Sequence, residues 1–248
     1  MTAGTTNFTT EVVLALSTST PAVSVALALD GMVVGTRQLR RERRHVEDLI
    51  PLIDEVLKSA GRGLDELTAV AVDVGPGLFT GIRVGVVTAA SLALTRGLGV
   101  VAASSIDVLR ATVDPTETDV WIAVDGRRGD VFLAAARRDS TELEPAFAVV
   151  ALDDALRLLA ERVARVVVGD GVGPLRDAAA ASGAGIVWVD GGPDRLFPDA
   201  AALAQLAKAR PEADYFVFCG VNFMAEAAGV LIGPHQQVVL PDRNVVCS

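Results

Sequence analysis

A two-lobed α/β fold with mixed sheets is predicted by three observations. Short β-branched segments alternate with longer Ala/Leu-rich ones, in the order β-β-β-α-β-α-β over the first hundred residues. The chain has 248 residues, more than the ~150 that serve as a soft guide to one domain, so one large or two small domains are expected. Hydrophobic residues make up 51% of the chain but aromatic ones only 4%, so the core must be packed mainly from Ala, Val and Leu.

Glu11 to Ser17 reads as a first strand, Val23 to Leu29 as a second and Met32 to Leu39 as a third. The Asp30-Gly31 pair between the last two is a hairpin signal. A helix is expected from about Val46 to Ala60, with Leu49, Ile50, Ile53, Val56 and Leu57 on one buried face and Gly61 and Gly63 ending it. A strand near 67–74, a helix near 82–95 and a strand from Gly99 follow. Three antiparallel strands leading into a β-α-β crossover give the ribonuclease-H-like order, which also underlies the actin-like and Hsp70 ATPase-type folds. From residue 104 to about 210 a second α/β unit is expected. It opens on a hairpin (120–125 and 131–136, joined by Gly126-Arg-Arg-Gly129) and continues with helices near 152–162 and 174–182, strands at 165–169 and 186–189, and a last helix near 199–209. The expected organisation is 1–103, 104–210 and an atypical tail, 211–248. No internal repeat is visible.

Composition removes several classes of function. A net charge of −9 argues against a broad nucleic-acid-binding face on this chain alone. No apolar run reaches the ~18 residues of a membrane span. The N-terminus has no basic stretch of the secretory kind, and the two cysteines, Cys219 and Cys247, make no disulfide framework; a cytoplasmic protein is expected. No His-x-x-x-His or Cys-x-x-Cys pair is present, so no metal site is expected.

Residues 73–85, Asp-Val-Gly-Pro-Gly-Leu-Phe-Thr-Gly-Ile-Arg-Val-Gly, form the most informative stretch. A Gly-Pro-Gly turn between a buried strand and a helix gathers backbone N–H groups at a helix start. It serves either an anion or a closely packed neighbour. It lacks the Lys of a phosphate-binding P-loop, and Thr80 breaks the G-x-G-x-x-G spacing. Gly85, Ala89 and Ala93 recur along one side of the following helix. Such a row packs on the chain's own sheet or makes a seam with another subunit. His45 is read as an exposed or capping side chain, and Asp125 as a hairpin-tip residue. The cluster Arg37, Arg40, Arg41, Arg43 and Arg44 is either a solvated surface or a contact for RNA or an acidic partner.

Leu14-Ala-Leu-Ser-Thr-Ser-Thr20, Arg44-His45 ahead of Leu49-Ile-Pro-Leu-Ile-Asp54, Gly75 to Gly85, Ser104 to Leu109 and Asp125 to Val131 together resemble the TsaB (YeaZ) family over about residues 11–205. That family is the dimerisation subunit of the bacterial machinery that makes N6-threonylcarbamoyladenosine in tRNA. The family usually has Ser where this chain has Leu78. It usually has Asp where this chain has Ser17, and a hydroxyl there is a poor Mg²⁺ site. The resemblance implies an actin-like fold without ATPase chemistry and a non-catalytic role. Its partners would be the catalytic subunit TsaD, the ATPase TsaE, tRNA indirectly through the complex, and a second copy of the chain. No cofactor is expected on this chain alone, with ATP only at a surface shared with the partner complex.

Partner contact in the family uses helices of the first lobe. This makes Gly75, Pro76, Gly77, Phe79, Thr80, Gly81, Arg83, Gly85, Ala89, Ala93, Leu49 and Ile53 interface candidates, with Arg40, Arg41, Arg43 and Arg44 as RNA or partner contacts. The alternatives are a small ATP-dependent kinase of the actin-like superfamily and, judged from the tail only, a remnant of quinolinate synthase. Residues 213–248 resemble a piece of quinolinate synthase (NadA), and Cys247 matches one cluster ligand of that family. One thiolate does not make a [4Fe–4S] site.

Overall fold

The structure, a computed structural model, describes residues 10–40, 44–136, 147–161, 165–183, 185 and 188–208. Arg41, Arg43, both cysteines and the tail from 211 lie outside the described residues.

The first lobe is a five-stranded sheet in the order β3-β2-β1-β4-β5. Its strands are β1 (Val12–Ser17), β2 (Ala22–Leu29), β3 (Met32–Arg40), β4 (Ala69–Asp73) and β5 (Gly99–Ala103). β1 pairs antiparallel with β2 and parallel with β4. Helix α1 (His45–Ser59) connects β3 to β4, and α2 (Phe79–Arg96) connects β4 to β5. Both faces of the sheet are covered, which explains why β1 reads as an unbroken apolar run. Leu14 and Leu16 point to the side packed by α1 and α2, with Val23, Val25, Leu49, Leu52, Val56 and Ala89. Val13 and Ala15 point the other way, onto Ala26, Ala71, Ala200, Leu203 and Ala204.

The second lobe repeats the first: β6 (Val120–Arg127), β7 (Asp130–Ala135), β8 (Ala148–Ala151), α4 (Leu152–Glu161), β9 (Val166–Val168), α5 (Val172–Ser182) and β10 (Val189–Asp190). Its sheet order, β10-β9-β6-β7-β8, is the first sheet's order over again, with β6 antiparallel to β7 and parallel to β9. The repeat lies in topology and leaves no sequence periodicity, because only the pattern of apolar faces has to recur. Strand β8 is absent from the sequence reading. It is short and exposed, an edge with little apolar alternation.

Helix α3 (Ser105–Arg110) joins the lobes. Ile106 and Leu109 enter the second core, and Val108 the first. The final helix, α6 (Ala200–Lys208), lies in the stretch expected as the second unit, 104–210. It leaves the second unit and packs on the first sheet through Ala200, Leu203, Ala204 and Ala207. Ser24 holds its start, with Oγ accepting from the Ala200 N–H at 3.0 Å and donating to Asp199 at 3.1 Å. Helix α2 begins at Phe79, three residues before the expected start, so Phe79 and Thr80 form its first turn.

Candidate functional site: a closed loop beneath an open helical face

The parallel strands β1 and β4 end side by side, at Ser17 and Asp73, where open α/β sheets bind ligands. Here Asp73 is fully buried. Its carboxylate accepts from Ser17 Oγ at 2.8 Å, Ser19 Oγ at 2.6 Å, Ser105 Oγ at 2.6 Å and the Gly75 N–H at 2.9 Å. Burial pushes its pKa up, against the hydroxyls of Ser105 and Ser19, the Gly75 N–H and the Ser17 hydroxyl, which hold it down. Four donors occupy the two oxygens. The group is committed to joining the ends of β1 and β4 and the start of α3, and it offers no lone pair to a substrate proton. Asp73 opens the informative stretch, but its role is not legible there, because its hydroxyl partners are contributed from positions 17, 19 and 105.

The question of anion or packing is decided by what lies against the glycines. A β-carbon on Gly77 would strike the Ser19 carbonyl, one on Gly81 the Thr18 carbonyl, and one on Gly85 the Thr18 hydroxyl. The Ser19 carbonyl accepts from the Leu78 N–H, and Thr18 Oγ1 donates to the Gly81 carbonyl at 2.8 Å. The turn after β1 therefore fills the space over the loop and presents carbonyl oxygens there. A phosphate would meet like partial charge as well as a steric clash. Gly77 has φ 153°, so it needs glycine both for backbone conformation and for closeness.

Of the two readings of the small-residue row, its own sheet or a subunit seam, the packing in this structure is contact within the chain. Gly85, Ala89 and Ala93 are buried inside the first lobe and do not form a free seam. Leu49 and Ile53 are core residues too, and Gly75, Pro76 and Gly81 are buried. Of the interface candidates, Phe79, Thr80 and Arg83 are exposed, with the Arg83 guanidinium 5.1 Å from the Phe79 ring centroid. The open face also contains residues that the sequence reading missed or misplaced. Val46 and Ile50 on α1 are 66% and 58% exposed, and Val87 and Leu94 on α2 are 53% and 65% exposed. Ile50, assigned to the buried stripe of α1, belongs instead with Val46 on an outer strip one turn apart.

His45 is buried, not a surface cap, and its Nε2 lies 2.7 Å from the Thr20 carbonyl. The basic cluster is partly committed. Arg37 pairs with Glu55 at 2.5 Å, and Arg40 lies 5.0 Å over the Phe197 ring. Arg44 is exposed at the cap of α1.

In the second lobe Asp125 lies within β6 just ahead of the tip, and Asp170 follows β9. The Asp125 N–H donates to Asp170 Oδ1 at 3.0 Å, and Arg127 pairs with Asp125 at 2.8 Å. Burial raises the Asp170 pKa to about 6, and the neighbouring Asp125 charge adds to the rise. A folded pKa above the unfolded value near 3.9 means that this group favours folding at low pH, and that the benefit is lost as pH rises through about 6. Asp170→Asn keeps the Oδ1 acceptor and removes the charge. It is expected to stabilise the chain by about 2 kcal/mol at pH 8 and to change little at pH 4. Denaturant melts of both proteins across that range check this; equal shifts at both pH values would contradict it. Among the described residues, no group of three His, Cys, Asp or Glu side chains could hold a metal ion. No described helix is long and apolar enough to cross a membrane.

Two lobes with the same mixed-sheet order, joined at the ends of their parallel strands, define a ribonuclease-H-like, actin-like protein. The family described as "TsaD: tRNA N6-adenosine threonylcarbamoyltransferase" matches residues 39–185, more than half of the sequence, and the chain belongs to it. It is 36% identical over 129 residues to the tRNA threonylcarbamoyladenosine biosynthesis protein TsaB of Escherichia coli, covering 51% of this chain and 55% of that protein. The chain thus spans about half the length of the curated TsaB relatives that it matches. The solved structure of YeaZ from Pseudomonas aeruginosa superposes with a TM-score of 0.63 at 25% identity, covering 83% of this chain and 95% of that one. A second family, "NadA: Quinolinate synthetase A protein", matches residues 194–248. The quinolinate synthase of a Nocardioides species is 60% identical over 50 residues, 20% of this chain and 13% of that enzyme.

Proposed function

We propose that the chain is a non-catalytic subunit of the assembly that forms N6-threonylcarbamoyladenosine in tRNA, and that it acts by pairing with a related TsaD-type subunit. The observation that carries this is the contrast within the first lobe. The strand ends where chemistry would occur are tied up by Asp73 and its hydroxyls, while the outer strip of α1 and α2 leaves Val46, Ile50, Phe79, Val87 and Leu94 in water. Large side chains clustered on adjacent helices favour a protein partner. The helices also differ in charge. α1 contains Glu47, Asp48, Asp54 and Glu55 against one lysine, whereas α2 contains Arg83 and Arg96 and no acid. A partner with a similar helix pair would meet both signs. The name of the Escherichia coli relative supports the tRNA-modification role.

In this reading the site is cytoplasmic, a TsaE-type ATPase and tRNA join through the complex, and a second copy of the chain competes for the same strip. The chain binds no cofactor by itself, and ATP engages only at a surface shared with the complex. Mixing the purified chain with a TsaD-type protein is expected to give a co-eluting pair, and separate elution at micromolar concentrations would end the proposal. Calorimetry with Mg-ATP is expected to show no heat for the chain alone. Micromolar binding would favour the kinase alternative.

A further inference from the structure

The two helices of the open face are tied to each other through the turn after β1. Three successive residues of that turn, Thr18, Ser19 and Thr20, are buried. The Thr18 carbonyl presses on Gly81 of α2, and Thr18 Oγ1 donates to the Gly81 carbonyl. The Ser19 carbonyl accepts from Leu78, the cap of α2. The Thr20 carbonyl faces Nε2 of His45, the first residue of α1. A carbonyl only accepts, so Nε2 carries the proton. The ring also lies against α2: its Cδ2 is 3.3 Å from where a β-carbon on Gly81 would stand.

His45 thus touches all three pieces, α1, the turn and α2, and it adjoins exposed Val46, which lies one turn before exposed Ile50. An apolar side chain here would leave the buried Thr20 carbonyl without the donor that Nε2 supplies. What an apolar side chain lacks is the directional bond that sets the first turn of α1 against the first turn of α2.

We propose that His45 is a positioning residue for the partner face: its bond to the Thr20 carbonyl holds the start of α1 in register with the start of α2. Val46, Ile50 and Phe79 then form one preorganised surface. The inference rests on the pairing reading above, and it also makes a claim about the free chain.

Glutamine places its amide nitrogen where Nε2 stands in histidine, and it can donate to Thr20. Asparagine is too short to reach, and leucine has no donor. Hydrogen exchange in the free full-length chain is expected to run about tenfold faster at the amides of Asp48, Leu78 and Ile82, which donate to the Arg44, Ser19 and Leu78 carbonyls, in His45→Leu and His45→Asn. His45→Gln should stay within about threefold of the parent, the smaller part of one such bond. Affinity for a TsaD-type protein, measured at a temperature where every variant is folded, should follow the same order, with about a tenfold loss for Leu and Asn and rescue by Gln. Either of two results overturns the proposal: Leu and Asn variants that exchange and pair like the parent, or a Gln variant as impaired as Leu. If Leu fails to fold, the Asn and Gln contrast decides. If the parent chain does not pair at all, the function proposed above fails, while the exchange contrast still judges the role of His45.

Discussion

Replacing Gly85 by leucine is expected to cost the first lobe about 4 kcal/mol or more, enough to unfold it, whether or not a partner is present. The position lies mid-helix with Thr18 directly over it, and a β-carbon there would overlap the Thr18 hydroxyl. Thr18 cannot retreat. Its hydroxyl is bonded to the Gly81 carbonyl, and its neighbours Ser17 and Ser19 are anchored to Asp73. The added volume would push α2 off the sheet, taking with it Ile82, Ala89 and Ala93, which pack beneath. Thermal unfolding by circular dichroism checks this. A well-folded Gly85→Leu chain that has lost only pairing would return the small-residue row to the surface and contradict the packing described above.

The order of strands and helices in the first lobe is legible in the sequence because each element is short, apolar and bounded by strong punctuation such as Asp30-Gly31, Gly61 and the Gly-Pro-Gly turn. The topology of the second lobe is equally regular, but β8 is short and exposed and carries little signal. The site was harder to read, for a physical reason. Periodicity tells which side of a helix is apolar, but not which apolar strip is covered. On α1, Ile50 lies beside Leu49 and Ile53 in the same periodic pattern, yet only the latter two reach the sheet. On α2, apolar residues occur all round, so no single face stands out, and small residues suit an inner seam as well as an outer one. Asp73 and His45 were opaque because their partners are distant in sequence: Ser105 is 32 residues from Asp73, and Thr20 is 25 from His45.

Helix α6 shows a different limit. The quinolinate synthase match begins at residue 194, ahead of α6, whereas the motifs that resemble that family begin near 213. Yet α6 closes the alanine-lined side of the first sheet, pinned by Ser24 at one end and by Lys208 Nζ on the Asp30 carbonyl at the other. Sequence similarity therefore assigns these residues to one family, and packing assigns them to the other's fold.

The double substitution Ile50→Glu with Val87→Glu is expected to leave stability within about 0.5 kcal/mol of the parent and to weaken pairing with a TsaD-type protein by about 100-fold. Both side chains are more than half exposed in the free chain, so folding gains little from them, and two surface carboxylates cost it little. Pairing would bury both, and two carboxylates in a dry seam lack partners. The effect should persist in high salt, since desolvation is not screened as surface attraction is. Arg83→Ala, on the charged part of the same face, should act mainly on the association rate and its salt dependence. Measuring association and dissociation rates at two salt concentrations separates the two. If the double variant pairs as tightly as the parent, the outer strip of α1 and α2 is not where the partner sits, and the exposed edge strands β3 and β8 become the surfaces to test.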